Sequence, residues 1–555
     1  MILTGAQIVM ECLLEQKVDT IFGYPGGTIM PLYDALYDYT QDGRVKHVLT
    51  SHEQGATHAA DGYARSTGKV GVCFATSGPG ATNTVTGIAT ANIDSSPLVV
   101  ITGQVVASSI GRDAFQEVDI VGITLPITKH SYAIRDVEEI APAVREAFQI
   151  ASSGRPGSVL IDIPKNLFAA TCEYTKLKAL PKHKHPQINM PKVENLAKLI
   201  NSSKRPVIYA GGGVNVSNAS SELRKLAEKS NIPVATTLMC LGCFDRKSPL
   251  SLGIAGMHGE RESNLAITGS DLIIAVGARF SDRVTGDPSS FAKGAQVVHI
   301  DIDRSEINKN ILAELRIVGD VKDILTALLP LVKEKKRADW VKAVHSWKRD
   351  LQGEEGFTPR NIIRTVNEIL GDDTIVATDV GQHQMWTAQN WMFRKPRKLI
   401  TSGGMGTMGF GMGAAIGAKI ANPKQNVVLF TGDGCFRMDM NELLTARIQE
   451  TPILVIVMKN GTLGMVRQWQ KLFFDKRYSA TDLPDVLDYA KLADSFGLTG
   501  YEVSDIDGLV NAIAAAKKTG KAAVIACDLY IDENVWPIVP PGDSIENQVM
   551  SEDAE

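Results

Sequence analysis

The chain has 555 residues, which is too long for one hydrophobic core and favours three domains of roughly 150–190 residues each. Hydrophobic residues make up 44% of the chain and charged residues 22%, as in ordinary globular proteins. Lysine and arginine number 58 against 62 acidic residues, so the net charge of −4 argues against nucleic acid or an anionic membrane as the main partner.

Targeting and redox signals favour a cytoplasmic protein. No apolar run reaches the ~20 residues of a membrane helix, and the first residues lack the basic stretch of a secretory signal. The seven cysteines are odd in number and dispersed, which favours reduced thiols over a disulfide framework. Cys240 and Cys243 form a C-x-x-C pair without a second ligand pair, so two buried thiols are favoured over a metal or redox site.

Short apolar runs alternate with helical stretches along the chain. A helix is predicted to begin at Thr4, which forms a capping box with Gln7. Strands of βα units are predicted, in chain order, at 20–27, 47–53, 70–80, 98–104, 158–165, 206–213, 233–238, 271–279, 296–303, 374–381, 426–434, 452–460 and 522–530. Runs of this length, alternating with helices, predict three doubly wound α/β domains with parallel sheets.

Two stretches interrupt this rhythm and set the expected domain boundaries. A linker at 169–190, rich in Lys, His and Pro, separates a first domain at 1–168 from a central domain at 191–332. The strongly charged residues 333–357 fit either a linker or a solvated helix. A third domain is expected at 358–535 and a C-terminal tail at 536–555, of which the acidic end 551–555 is predicted to be disordered.

The first candidate site residue is Glu53, in the segment Ser-His-Glu-Gln-Gly-Ala at 51–56. A carboxylate that directly follows an apolar strand and precedes small residues is expected to be partly desolvated. Such a group suits acid–base chemistry. Taken alone, a glutamate in this position is more often a surface residue.

A glycine-rich segment, Ser-Gly-Gly-Met-Gly-Thr-Met-Gly, occupies residues 402–409. This density of glycine allows the backbone to approach a ligand closely. A glycine-rich start of a helix would explain the same glycines.

A Gly-Asp-Gly motif ends the strand predicted at 426–434, and Asn460 ends the next strand, 27 positions after Asp433. One βαβ unit separates the two, so both side chains should lie at the carboxyl edge of neighbouring parallel strands. That edge is where open α/β sheets bind ligands. Carboxylate and amide oxygens suit Mg²⁺, and glycines allow a diphosphate to approach. An isolated Gly-Asp-Gly is usually a turn, and the asparagine at this spacing favours the metal site.

The segment Gly-Met-Val-Arg-Gln-Trp at 464–469 follows the second of these strands. Its periodicity predicts a short helix with Met465 and Trp469 on one face. On its own, Trp469 would more often be a core anchor.

Taken together, these motifs resemble the thiamine-diphosphate enzymes. The resemblance implies that Asp433, Asn460 and the backbone carbonyl of Thr462 bind Mg²⁺. It also implies that Glu53 binds N1′ of the aminopyrimidine and assists the loss of the C2 proton, while Met408 holds the cofactor bent. Further cofactor contacts implied by the resemblance are Gly381, Gln382, His383, Gly406, Gly432, Gly434 and Cys435.

Over about residues 1–545 the chain is identified as a member of the acetohydroxyacid synthase (acetolactate synthase) large-subunit family. The motifs that carry this resemblance lie at 23–27, 76–83, 113–117 and 464–469. By resemblance, Gly27 and Gln116 are catalytic-site residues, and Phe115, Met465 and Trp469 contact substrate. In the family, the matching tryptophan contacts the extra methyl group of the acceptor.

The central domain resembles the FAD-binding domain of the biosynthetic enzymes, although it carries no G-x-G-x-x-G fingerprint. The segments 256–259 and 277–283 carry this resemblance, with Ser281 standing where the family usually has Asp. The implied FAD contacts are Arg155, Gly211, Gly212, Gly213, Thr237, Leu238, Met257, His258, Gly277, Ala278, Arg279, Asp282, Arg283, Asp301, Ile302, Asp320 and Val321.

The implied activity is decarboxylation of pyruvate and transfer of the hydroxyethyl group to pyruvate or 2-ketobutyrate. This is the first common step of valine, leucine and isoleucine biosynthesis. The expected assembly is a homodimer or a dimer of dimers with each site built between two chains, and a regulatory small subunit is a further expected partner. A pyruvate oxidase-type enzyme and a catabolic acetolactate synthase are the enzymatic alternatives. A silent flavin-binding subunit is a third alternative, against which Glu53, Asp433 and Asn460 argue.

Overall fold

The computed structural model describes residues 1–177, 185–348, 355–484 and 486–551. It contains three six-stranded sheets and one two-stranded sheet. Every neighbouring pair in the six-stranded sheets is parallel. The predicted fold class, three doubly wound α/β domains, is therefore confirmed. No helix within the described residues is both long and apolar enough to cross a membrane.

The first domain contains strands β1–β8 and helices α1–α8. The strands are β1 Ile2–Thr4, β2 Thr20–Gly23, β3 Lys46–Leu49, β4 Gly71–Ala75, β5 Leu98–Gln104, β6 His130–Ala133, β7 Ser158–Pro164 and β8 Thr171–Glu173. The helices are α1 Gly5–Glu15, α2 Met30–Gln41, α3 Glu53–Thr67, α4 Pro79–Asn83, α5 Val85–Ile93, α6 Ile120–Thr124, α7 Ile140–Ser152 and α8 Lys165–Ala169. The large sheet has the order β3-β2-β4-β5-β7-β6. The capping box predicted for α1 is present, since Thr4 and Gln7 each accept a hydrogen bond from the other's backbone N–H.

The structure corrects the start of the predicted linker at 169–190. Strand β8 lies inside that range and pairs antiparallel with β1, placing Cys172 opposite Leu3. Tyr174, the residue that follows β8, is buried in the core of the first domain. The first domain therefore continues past residue 168, and residues 178–184 lie outside the described part of the chain.

The central domain contains strands β9–β14 and helices α9–α15. The strands are β9 Pro206–Ala210, β10 Val234–Thr236, β11 Ser251–Ile254, β12 Leu272–Val276, β13 Gln296–Asp301 and β14 Leu315–Val318, in the order β11-β10-β9-β12-β13-β14. The helices are α9 Met190–Ser202, α10 Gly212–Val216, α11 Ser220–Ser230, α12 Arg261–Thr268, α13 Asp282–Thr285, α14 Val321–Leu328 and α15 Ala338–Ser346.

Two segments outside the predicted central domain pack against it. Helix α15 lies within 333–357 and is not a linker, because Trp340 is buried and its indole N–H donates to the carbonyl oxygen of Pro206 at 3.0 Å. The tail predicted at 536–555 returns to the same domain, where the Val539 N–H donates to the Met257 carbonyl at 2.8 Å and Ile545 joins the core. The expectation for 551–555 falls almost entirely outside the described residues.

The third domain contains strands β15–β20 and helices α16–α23. The strands are β15 Ile375–Thr378, β16 Leu399–Ile400, β17 Val427–Gly432, β18 Leu454–Lys459, β19 Thr499–Val503 and β20 Ala523–Asp528, in the order β16-β15-β17-β18-β20-β19. The helices are α16 Pro359–Leu370, α17 Gln382–Asn390, α18 Gly411–Ala421, α19 Asp433–Asp439, α20 Glu442–Ile448, α21 Gly464–Phe473, α22 Tyr489–Ser495 and α23 Ile506–Thr519.

Helices α3 and α18 attach the third domain to the first through small residues. A Cβ atom on Gly62 would overlap the backbone of Ala414, and one on Gly417 would overlap the carbonyl oxygen of Ala59. Both glycines are therefore required by the close approach of two backbones. The contact holds α3, which begins at Glu53, against the domain that carries Asp433.

Candidate functional site

A cleft opens at the carboxyl edge of the third sheet, where β15, β17 and β18 lie side by side. All of its lining residues belong to the third domain. They are Val380, Gly381, Gln382, His383, Trp386, Met408, Gly432, Asp433, Gly434, Cys435, Met458, Asn460, Thr462, Leu463, Gly464, Met465 and Val466. The Gly-Asp-Gly motif and Asn460 therefore lie together at this edge of the sheet, as predicted.

Asp433 and Asn460 bring oxygen atoms to the base of the cleft. The Asp433 carboxylate accepts hydrogen bonds from the backbone N–H groups of Gly434 at 3.0 Å and Gly461 at 2.8 Å. Its burial raises the pKa of the carboxyl group. The Asn460 side-chain oxygen accepts from the Thr462 N–H at 3.3 Å. Two hard oxygen donors beside glycines fit Mg²⁺ bound to a diphosphate.

A buried amide network, which the sequence did not predict, orients Asn460. The side-chain NH₂ of Asn460 donates to the Gln382 amide oxygen at 3.2 Å, and the Gln382 NH₂ donates to the Gln468 oxygen at 3.1 Å. Gln468 in turn exchanges hydrogen bonds with the backbone of Val535. Because the Asn460 NH₂ is held by Gln382, the orientation of the amide is fixed, and its oxygen is the atom that could bind a metal ion.

His383 lies on a surface formed by two glycines. A Cβ atom on Gly381 would lie 2.9 Å from the imidazole ring, and one on Gly432 would lie 3.0 Å from it. Burial lowers the pKa of His383 to about 3, so the ring is neutral. Its Nε2 atom is buried without a hydrogen-bond partner among the described residues, which suits a contact with a bound diphosphate oxygen.

Cys435 and the glycine-rich loop complete this side of the cleft. The Cys435 thiol donates to the Val380 carbonyl at 3.2 Å, and burial raises its pKa well above the usual value, so it packs as a neutral thiol. Gly406 has a φ of 69°, which favours glycine. The same loop is anchored by Asp94 of the first domain, which accepts from the N–H groups of Gly403 at 2.9 Å and Gly404 at 2.7 Å.

Glu53 lies outside this cleft, at the first residue of α3. One of its carboxylate oxygens accepts from the Asn83 side-chain amide at 2.9 Å. A Cβ atom on Gly80 would lie 3.2 Å from its other oxygen, and one on Gly78 would lie 3.0 Å from Gln116. The segment 78–83 therefore brings Glu53 and Gln116 into one group of first-domain residues.

Gly27 and Phe115 belong to the same group of loops. Gly27 is exposed, with no atom within 4 Å of the position of a Cβ atom. The next residue, Thr28, contacts Thr76 through a hydrogen bond of 2.9 Å between their hydroxyl groups. Phe115 is 88% exposed. In a single chain, the first-domain candidates thus form a second, separate group facing solvent.

The predicted FAD segments meet at the carboxyl edge of the central sheet. Chain order changes direction between β9 and β12, and a crevice at such a point is the usual ligand site of open α/β sheets. There Gly211 and Gly213 approach Gly277, whose φ of 56° favours glycine, so closely that side chains would overlap the backbone. The nearby Thr237 hydroxyl is buried without a hydrogen-bond partner in the described part of the chain. These features fit a nucleotide cofactor.

Several predicted FAD residues already have structural roles. Asp320 caps α14, and Val321 packs in the core of the central domain. Arg155 pairs with Glu306 at 2.8 Å. Burial raises the pKa of Asp301 to about 6. The other predicted FAD residues follow the ends of β9 to β13 in sequence: Gly212, Leu238, Met257, His258, Ala278, Arg279, Asp282, Arg283 and Ile302.

Each domain matches a family of thiamine-dependent enzymes. Residues 3–123 match the thiamine pyrophosphate enzyme N-terminal TPP binding domain, 193–328 the central domain, and 379–527 the C-terminal TPP binding domain. The acetolactate synthase large subunit of Parasynechococcus marenigrum is 47% identical over 98% of this chain and 90% of its own. The isozyme 2 large subunit of Escherichia coli K12 is 44% identical over 98% of both chains. The chain belongs to the acetolactate synthase large-subunit family.

Met465 and Trp469, which the family resemblance places at the acceptor substrate, lie on α21 as predicted. Trp469 is partly exposed and belongs to no core cluster of the described residues, so it is not a core anchor. The Arg283 guanidinium lies 5.5 Å from the Trp469 ring. Arg283, predicted as an FAD contact, therefore lies beside the substrate candidates as well.

Proposed function

We propose that this protein is an acetolactate synthase, which decarboxylates pyruvate and transfers the two-carbon fragment to pyruvate or 2-ketobutyrate. The observation that carries the proposal is the position of Asp433 and Asn460 directly after the neighbouring strands β17 and β18, in a chain similar to acetolactate synthase large subunits over 98% of its length. In this role the protein supplies the first common intermediates of branched-chain amino acid synthesis.

Thiamine diphosphate with Mg²⁺ is the proposed cofactor. It supplies the electron sink for decarboxylation and carbon–carbon bond formation. Asp433, Asn460 and the Thr462 carbonyl would hold the metal ion. The neutral His383 ring, with its buried unpartnered nitrogen, would bind the diphosphate.

Glu53 is the proposed proton-handling residue. Its carboxyl group would bind N1′ of the aminopyrimidine and hold the proton there. Asn83 keeps one carboxylate oxygen in place, as its 2.9 Å hydrogen bond shows. Gln116 and Gly27 would border the reacting groups, and the exposed loop around Gly406 would contact the pyrimidine.

The decisive assay uses the purified chain with pyruvate, thiamine diphosphate and Mg²⁺. We expect CO₂ and acetolactate in a 1:1 ratio, because two pyruvate molecules give one of each. Removal of Mg²⁺ with a chelator should abolish both products, and added Mg²⁺ should restore them. Release of CO₂ without acetolactate would contradict the proposal.

The active form is proposed to be a homodimer or a dimer of dimers, with each site shared between two chains. Glu53 does not line the cleft of its own chain, while the first-domain group exposes Phe115. The third domain exposes Met438 and Val486, at 59% and 83%. A partner's first domain would cover these apolar groups and bring its glutamate to the cleft.

A mixture of two inactive variants should recover activity if the sites are shared. In a mixed dimer of Glu53→Gln and Asp433→Ala chains, one site carries both changes and the other carries neither. Random re-association at equal amounts should therefore restore ~25% of wild-type activity, because half of the dimers are mixed and half of their sites are intact. Each variant alone, taken through the same dissociation and re-association, is the control. Absence of recovery in confirmed mixed dimers would contradict a shared site.

FAD is proposed to bind at the crevice of the central sheet without acting as an oxidant, because the proposed reaction has no net redox change. We expect the flavin absorbance to stay oxidised during turnover under anaerobic conditions. Oxygen or quinone consumption matching CO₂ release would instead identify a pyruvate oxidase-type enzyme. Failure to bind FAD with full acetolactate formation would favour the catabolic type.

The large-subunit name of the relatives makes a small regulatory subunit a proposed partner. Co-purification of this chain with candidate small subunits, followed by measurement of activity and inhibition by branched-chain amino acids, would test this association.

Trp469 is expected to set the preference for 2-ketobutyrate over pyruvate as acceptor. The two acceptors differ by one methylene, which is worth roughly a 10- to 200-fold preference in an apolar pocket. Trp469→Leu should keep acetolactate formation and lose most of the preference. With both keto acids supplied, the ratio of the two acetohydroxyacids measures it directly. The matched control is Phe473→Leu, which should keep the ratio. In the wild type, the centroid of the Phe473 ring lies 5.9 Å from that of the Trp469 ring. An unchanged ratio in a folded, active Trp469→Leu variant would leave the acceptor pocket unassigned.

A further inference from the structure

A buried carboxylate of the third domain reaches the start of the helix that carries Glu53. Glu442, the first residue of α20, accepts a hydrogen bond from the Ser51 N–H at 3.2 Å. The same pair of segments is joined a second time, because the Ser51 hydroxyl donates to the Asn441 carbonyl at 2.9 Å.

Glu442 is held tightly in this position. Its side chain is 1% exposed, and one oxygen also accepts from the Thr445 hydroxyl at 2.5 Å. The other oxygen lies against Gly55, where a Cβ atom would overlap it. The absence of a side chain at residue 55 thus provides the space that the carboxylate occupies.

The bonds made by Glu442 are not those of an ordinary helix cap. The capping role is filled by His52, whose Nδ1 accepts from the Gln54 N–H at 3.1 Å. Glu442 instead binds the N–H group of Ser51, two residues before the helix, which forms no part of its hydrogen-bond ladder. What this bond fixes is the direction in which the chain enters α3 at Glu53.

We propose that Glu442 is a positioning residue for Glu53: by holding Ser51, it sets where the first turn of α3 presents the Glu53 carboxyl group. The inference rests on the proposed function, in which Glu53 handles the cofactor proton. It implies that the third domain of one chain aligns the glutamate that the same chain lends to its partner's site.

The test compares Glu442→Ala with Glu442→Gln, which keeps an acceptor oxygen at the same place. In Glu442→Ala we expect the rate of cofactor C2 proton exchange to fall by about 10- to 100-fold, the scale for misplacement of a catalytic group by about 1 Å. Glu442→Gln should recover most of that rate. Affinity for thiamine diphosphate should stay unchanged, because Glu442 lies outside the cleft.

Two further readouts separate positioning from a general loss of structure. Amide hydrogen exchange of the cofactor-free protein should rise about 10-fold at residues 51–54 in Glu442→Ala, as expected for a lost hydrogen bond. In a Glu53→Gln background, Glu442→Ala should cause no further loss of C2 exchange, because the two residues act through one group. Glu368→Ala, an exposed glutamate of the same domain, is the control and should change none of these values.

Gly55→Ala provides a second route, since it displaces the carboxylate without removing it. It should lower C2 exchange as Glu442→Ala does, and it decides the matter if Glu442→Ala does not fold. Normal C2 exchange in either folded variant, or an additive loss in the Glu53→Gln background, would overturn the proposal. A wild-type chain that forms no acetolactate would instead refute the proposed function. The amide exchange measurement does not depend on activity, so it would still test the contact between Glu442 and Ser51.

Discussion

Glu53→Gln should slow acetolactate formation by about 10²- to 10⁴-fold, the range for loss of an acid–base group. The carboxylate begins α3 and is held by Asn83 on one oxygen, which leaves the other available to a cofactor nitrogen. Glutamine has the same shape and can keep the Asn83 contact through its carbonyl oxygen. It cannot take up or release a proton at this position, so binding should be preserved while chemistry is lost.

The measurement is C2 proton exchange of bound thiamine diphosphate, followed by NMR after quenching, together with steady-state acetolactate formation. Asn83→Leu should give a smaller loss, since it frees the carboxylate without removing it. Glu194→Gln, on an exposed face of α9, is the matched control for charge removal. Near-normal exchange in Glu53→Gln, with the cofactor bound, would remove Glu53 from the mechanism.

Gly417→Ala should destabilise the protein by about 1–3 kcal/mol, although alanine normally strengthens a helix interior. The expected sign is reversed because the new methyl group would overlap the Ala59 carbonyl oxygen where α18 crosses α3. The helices must then separate, and each loses apolar contacts along the crossing. The effect should spread beyond the site, since this crossing joins the first and third domains.

Thermal unfolding followed by calorimetry is the appropriate measurement, with the midpoint compared between variants because a chain of three domains need not unfold in one step. Gly294→Ala is the matched control: its φ is not in the left-handed region, and the nearest atom to a Cβ there is 4.0 Å away. A midpoint for Gly417→Ala equal to or above that of wild type would show that the crossing relaxes without loss.

The interior strands of all three sheets were predicted from sequence, whereas most edge strands were not. Interior strands such as β5 and β17 are buried on both faces and therefore form continuous apolar runs. The missed strands β6, β11, β14, β16 and β19 all lie at sheet edges. Edge strands carry exposed or polar residues, as Arg316 in β14 shows, or are as short as the two residues of β16. Whether such a segment forms a strand depends on the strand beside it and not on the hydrophobic pattern of its own residues.

The candidate site shows the same division between local and distant information. Asp433 and Asn460 could be paired from sequence because one βαβ unit fixes their relation. Glu442 and Asp94 could not, because their partners lie 391 and about 310 positions away, and a polar residue in a helix or after one is usually solvated. The charged region 333–357 was undecided for a related reason, since the burial of Trp340 depends on a strand more than 130 positions earlier.

The dispersed thiols make the protein a convenient subject for chemical modification. All seven cysteines lie in the described part of the chain, and Cys172 alone is partly exposed while the other six are buried. Burial raises the pKa of each of the thiols of Cys12, Cys73 and Cys527, so little reactive thiolate forms at them near neutral pH. Burial and the nearby Glu138 and Asp136 carboxylates also raise the pKa of Cys172, but its partial exposure lets a reagent reach it. A maleimide applied to the native protein should therefore attach at Cys172 first, on the strand that closes the first domain. A fluorophore placed there would report on that domain, and a rise in the number of labelled sites would register the opening of the cores.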